Sequence, residues 1–99
     1  YLMDTHTAVA WNAAAAVGEG RPTVVLSTAS PYKFADDVLR ALTGECVADG
    51  FLAMERLSLL SGVPVPSCLA RLRGAEELHL DVIDAREVFA YIQRKAAEL

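Results

Sequence analysis

Apolar residues fill nearly every position from 5 to 17, in the stretch "THTAVAWNAAAAV". With Asp4 or Thr5 as a cap and Gly18-Glu19-Gly20 as a stop, the stretch predicts a helix. Ala, Val and Trp11 cover almost all of its faces, so that helix is expected to be buried all round. A different pattern follows Arg21-Pro22. Residues 23–27 form a short β-branched run bounded by turn signals, which predicts a fully buried parallel strand. The run ends in small residues, Ser27-Thr28-Ala29, just before Ser30-Pro31 opens a second helix. Phe34, Val38 and Leu42 share one face of that helix and Gly44 closes it.

The second half is patterned less regularly. Residues 45–50, "ECVADG", read as a polar loop. Residues 52–60 fit a third helix stopped by Gly62, and "VPVPS" is extended because each proline disfavours helix in the residue before it. Residues 67–73 predict two turns of helix before Gly74. Leu78, Leu80 and Val82 alternate with Glu77, His79 and Asp81, which marks a half-exposed strand. Asp84 with Glu87 has the spacing of a capping box, and Ile83 with Val88 that of a staple. A last helix carries Val88, Ile92 and Ala96 on one side and runs to about residue 99. Helix, strand, helix over 5–43, then a helical and strand tail over 51–99, is α/β grammar within one segment.

Composition sharpens this picture. Apolar residues make up 54% of the 99, above the usual range of about 45–50% for a soluble domain. The chain does not begin with Met, and its first residues already approach a helix. The expectation is therefore a segment of a longer protein, packed against neighbours it lacks. Nine basic residues are scattered singly in a chain of net charge −4, which argues against nucleic acid as a partner. The apolar runs are too short to cross a bilayer. Cys46 and Cys68 have no partner spacing and read as buried or free thiols of a reducing cytoplasm.

Ser27, Thr28 and Ala29 would sit at the carboxyl end of a strand, where ligands of open α/β sheets bind. Small side chains leave room there for a flat ligand, and hydroxyls supply hydrogen bonds. The helix that follows favours anions at its start, and Lys33 adds a positive charge. The bland alternative is that Ser27, Thr28 and Ser30 only cap a turn.

Two motifs add a family resemblance. "DTHTAVA" at 4–10 and "STASPYKFADDVL" at 27–39 resemble the C-terminal part of threonine synthase, as do "LSGVPVP" and "HLDVIDAREVFAYI" further on. That family usually shows Asp-Pro-His-Thr-Ala and then Thr-Ala-His-Pro-x-Lys-Phe. Here Thr5 stands where Pro is common, Ser30 where His is common, and Tyr32 where a small residue is common. The resemblance implies the C-terminal segment of a fold-type II pyridoxal-phosphate enzyme, α/β in class, with helices around a few strands. It further implies a cytoplasmic lyase of threonine biosynthesis. Such an enzyme turns O-phospho-L-homoserine and water into L-threonine and phosphate by γ-elimination and β-hydration.

The same resemblance assigns roles. Thr28 matches the threonine that faces the pyridine nitrogen of pyridoxal phosphate, and Ser27 is the alternative if the strand is displaced by one residue. A neutral hydroxyl there does not force the nitrogen to stay protonated. His6, Thr7 and Lys33 are candidates for the substrate phosphate. Read as ordinary structure, His6 is bonded locally, Lys33 is solvated, Trp11 is core, His79 is surface, and Asp36-Asp37 is a solvated helix face. The Schiff-base lysine is expected upstream of this chain. "GEGRP" lacks the length and asparagines of a phosphate cradle. Alone, the segment is expected to be inactive and to bind no cofactor, with the N-terminal part of the same enzyme as its partner. Exposed apolar surface would favour a homo-oligomer of the fragment. Two other readings stand beside this one: a free-standing interaction or structural domain, and a threonine-synthase-like enzyme acting on another phosphorylated amino acid.

Overall fold

The computed structural model describes residues 1–18 and 20–98. Its elements run α1 (Thr5–Val17), a 3-10 turn (Pro31–Phe34), α2 (Ala35–Thr43), α3 (Gly50–Ser61), α4 (Ser67–Ala70), a second 3-10 turn (Ala85–Glu87) and α5 (Val88–Ala97). Among the described residues there is no strand and no sheet. The α/β expectation is corrected to an all-helical segment. A strand is defined by the N–H and C=O groups of a neighbour, and neither 23–27 nor 78–82 has one here. The stop after 18 partly involves Glu19, which lies outside the described residues.

Helix ends follow local chemistry. Asp4 caps α1 by accepting from the backbone N–H groups of His6 and Thr7. Ser30 accepts from the Tyr32 N–H, with Pro31 at the first position of the turn. Asp49 caps α3 through Leu52 N–H at 2.9 Å. Gly44 and Gly62 end α2 and α3 at φ 78° and 70°, a left-handed conformation that disfavours a side chain. Residues 67–73 give one α-turn, Ser67–Ala70, rather than two. Asp84 caps a 3-10 turn through the Arg86 N–H at 2.9 Å, ahead of α5.

The core is small and lies between α2, α3 and the 3-10 turn that leads into α2. Tyr32, Ala35, Val38, Ala53, Met54 and Leu57 form it, with Leu2, Val47, Phe51, Val65 and Leu69 packed at its margin. The Tyr32 hydroxyl donates to the Val63 carbonyl, and Ser58 donates to the same oxygen at 2.8 Å. Those two bonds tie the turn after α3 to the turn before α2. Arg56–Glu45 and Arg73–Glu55 ion pairs lie outside this core on half-exposed side chains.

Everything beyond that core is open. The radius of gyration is 18.5 Å, against about 13 Å for a compact chain of 100 residues. The expectation of an α1 buried all round is overturned: only Thr7 is buried in it, and Val9, Trp11 and Val17 are 71%, 59% and 74% exposed. A helix is buried all round only when other elements surround it, and α1 is covered on one side. Leu78, Leu80 and Val82 are exposed, as are Phe89 and Ile92 of α5. His79, Cys46 and Cys68 are at the surface, and both thiols are free. No helix among the described residues is long and apolar enough to cross a membrane.

Candidate functional site

The segment 23–27 runs beside α1, and alternate residues divide between two surroundings. Val25 and Ser27 line a cleft of about 500 Å³ with Tyr1, Met3, Thr7 and Trp11. Thr23 and Val25 line a smaller continuation with Trp11, Ala14 and Ala15. Val24 and Leu26 point the other way and are 86% and 76% exposed. The two-residue period of the sequence is therefore real, although it organises packing on a helix and not pairing in a sheet. Trp11, expected in a core, is a cleft wall.

The polar end of the cleft starts from a buried carboxylate. Asp4 is 1% exposed. One of its oxygens, Oδ1, accepts from the Thr7 hydroxyl and the Thr7 N–H. Its Oδ2 accepts from the His6 N–H at 3.2 Å and from His6 Nδ1 at 2.9 Å. The Thr7 hydroxyl, first, and the His6 ring hold the Asp4 carboxyl below its ordinary range, against the opposing effect of burial. From Thr7 the network continues to the Ser27 hydroxyl at 3.3 Å, and from Ser27 to the Tyr1 hydroxyl at 3.2 Å. His6 also meets the Phe34 ring edge-on, with centroids 5.1 Å apart. That contact fixes the start of α1 against the turn before α2.

The residues singled out from the sequence separate into groups. Thr7 and Ser27 come together, and His6 joins them through Asp4. Ser27 and Thr28 are both exposed, and of the two only Ser27 lines the cleft. Lys33 is exposed and lines a different groove, of about 370 Å³, with Tyr32, Asp36, Phe51, Met54 and Leu72. Asp37 pairs with Arg40 at 2.7 Å across one helical turn. Two participants were missed by sequence reasoning. Tyr1 carries no local signal, because its partner lies 26 positions away. Asp4 read only as a possible cap; the signal for more was the adjacent His6-Thr7, two donors within reach of one carboxylate.

A second cluster joins the run before α5 to α5 itself. The Tyr91 hydroxyl donates to Asp81 at 2.7 Å, and Lys95 lies 3.9 Å from the same oxygen. Tyr91, first, and then Lys95 pull the Asp81 carboxyl below its ordinary value, and Asp81 lifts the Tyr91 phenol.

Neither a curated protein nor a solved structure matches the chain. A family model does, the one described as threonine synthase, C-terminal, and it covers residues 7–92. That span takes in Thr7, Trp11, Ser27 and the whole α2–α3 core. The chain belongs to the threonine synthase C-terminal family.

Proposed function

We propose that this chain is the C-terminal part of a pyridoxal-phosphate lyase that makes L-threonine and phosphate from O-phospho-L-homoserine and water. The observation that supports the reading most directly is the cleft between α1 and residues 23–27. Trp11 and Tyr1 give it aromatic walls, Met3 and Val25 apolar ones, and Ser27 and Thr7 a hydroxyl end. Such a lining fits a flat heterocycle with one polar edge. None of its residues is cationic, so it fits the ring of the cofactor and not the phosphate. The phosphate would be held by other polypeptide.

When bound, pyridoxal phosphate supplies the electron sink for the elimination and the hydration. What this chain supplies is placement. Both candidate hydroxyls are exposed; Ser27 is the one that lines the cleft, within hydrogen-bond distance of Thr7 and Tyr1. Trp11 and Val25 would lie against the ring and keep water from it. Thr28, exposed one residue on, would meet the N-terminal part of the enzyme rather than the ring.

Docking to that N-terminal part accounts for the open shape. Val24, Leu26, Val9 and Val17 are apolar, exposed and close in sequence to the cleft, as expected for a surface that a larger body covers. Free, exposed thiols at Cys46 and Cys68 suit a reducing compartment, the cytoplasm.

The test is turnover. The intact protein, supplied with pyridoxal phosphate, is expected to release threonine and phosphate from O-phosphohomoserine, and the 99-residue chain alone to release neither. Release of phosphate from phosphothreonine or phosphoserine, with none from O-phosphohomoserine, would overturn the substrate assignment.

A further inference from the structure

A groove of about 370 Å³ lies where the turn before α2 meets α3 and α4, and it shares no residue with the cleft. Phe51, Met54, Leu69 and Leu72 give it an apolar floor, and Lys33 and Asp36 are the charged residues that line it. The floor is held in place. Met54 belongs to the core, with Phe51 and Leu69 packed at its margin. The Arg73 guanidinium stands 5.3 Å from the centre of the Phe51 ring and is tied to Glu55 at 2.8 Å. A floor fixed before a ligand arrives loses little freedom on binding. The two charges are exposed and lie three positions apart, about one helical turn. Asp37, Glu45 and Glu55 each pair with an arginine. Neither Lys33 nor Asp36 enters an ion pair among the described residues, with each other or with any third group.

We infer that this groove binds a free α-amino acid with an apolar side chain: Lys33 takes its carboxylate, Asp36 its ammonium group, and the floor its side chain. One cation and one anion match a zwitterion in charge. A phosphorylated ligand would set two negative charges beside Asp36 with a single lysine to offset them. A ligand with a polar side chain would give up its hydrogen bonds to water on Phe51, Met54, Leu69 and Leu72. The volume lies in the range of small-molecule sites, about 300–1,000 Å³. The inference stands apart from the reading of the cleft as the cofactor's ring site, because no residue serves both.

Saturation-transfer NMR on the intact protein tests it, with L-leucine and L-phenylalanine as probes. Both are expected to bind saturably. Isocaproate lacks the ammonium group and isoamylamine lacks the carboxylate. Each is expected to bind about two- to fivefold more weakly than L-leucine, the loss of one exposed ion pair. Lys33→Gln and Asp36→Asn should each weaken L-leucine by a similar factor. The analogues need only the wild-type protein, so a variant that fails to fold does not remove the test. No saturable binding of either amino acid overturns the inference, as when another part of the intact protein fills the groove. Equal affinity for L-leucine and both analogues also overturns it. Unchanged binding in both variants places the ligand elsewhere and overturns it too. The readout is binding without turnover, so a failure to turn over O-phosphohomoserine would sink the proposed reaction and leave this inference standing.

Discussion

The hydroxyl oxygens of Thr7 and Ser27 lie 3.3 Å apart although 20 positions separate them. This contact turns a helix and an unpaired run into one unit. Behind Thr7 stands Asp4, buried and fully supplied with donors; in front of Ser27 the cleft opens between Tyr1 and Trp11. The relationship carries local capping chemistry out to the lining of the cleft.

The core that supports this unit depends on few side chains. Leu57 is 0% exposed and packs among Tyr32, Ala35, Val38, Ala53 and Met54. Leu57→Ala is expected to cost about 2–5 kcal/mol, enough to unfold so small a core. Chemical denaturation followed by helical circular dichroism checks it, and a loss below 1 kcal/mol would place Leu57 outside the core.

Backbone conformation gives a cleaner case at Gly62. Its φ is 70° and a methyl group there would meet nothing within 4 Å. Gly62→Ala should therefore carry only the backbone penalty, about 1–2 kcal/mol, read from the same denaturation. No loss would mean that α3 does not end in a left-handed residue.

Acid should act through Asp4. Its folded carboxyl titrates below the ordinary value of about 3.9 that it regains on unfolding. The unfolded chain therefore binds the proton first, and stability rises with pH across that window. The Asp4 contribution is complete above the ordinary value and is lost as pH falls through the lowered one. A helicity titration from pH 6 downward should show this slope in the wild type and a shallower one in Asp4→Asn. Identical slopes would show that the carboxylate is not bonded as described.

Alkali should act through Tyr91 with the opposite sense. Its phenol is raised, first by donating to Asp81, so its contribution is present at neutral pH. It fades as pH rises past the ordinary value of about 10 toward the raised one. Phenolate absorbance should place the Tyr91 transition above that of an ordinary tyrosine, and Asp81→Asn should lower it. No response to Asp81→Asn would rule out the bond between them.

Helices were legible in the sequence because their signals are local. Asp4, Ser30-Pro31, Gly44 and Gly62 sit at the ends of elements, as their chemistry requires, whereas Asp49, read as part of a polar loop, caps an α3 that begins at Gly50. The two expected strands are absent among the described residues, for a related reason. The alternation of 23–27 is present as packing, with Val25 and Ser27 toward α1 and Val24 and Leu26 away, but a ladder needs a second segment that no short window can reveal. The alanine-rich face of α1 misled for the same cause: apolar composition states what a helix can bury, not what surrounds it. The sequence singled out Thr7 for the substrate phosphate and Ser27 only as the alternative to Thr28; that Thr7 and Ser27 meet, with Tyr1 and the four donors of Asp4, emerges only when the ends of α1 and of 23–27 come together.

The most direct test compares two neighbouring hydroxyls in the intact protein. Binding of pyridoxal phosphate should weaken about tenfold in Ser27→Ala, the loss of one well-placed hydrogen bond, and stay unchanged in Thr28→Ala. If Thr28→Ala weakens binding while Ser27→Ala does not, the cleft between α1 and residues 23–27 is not where the ring lies.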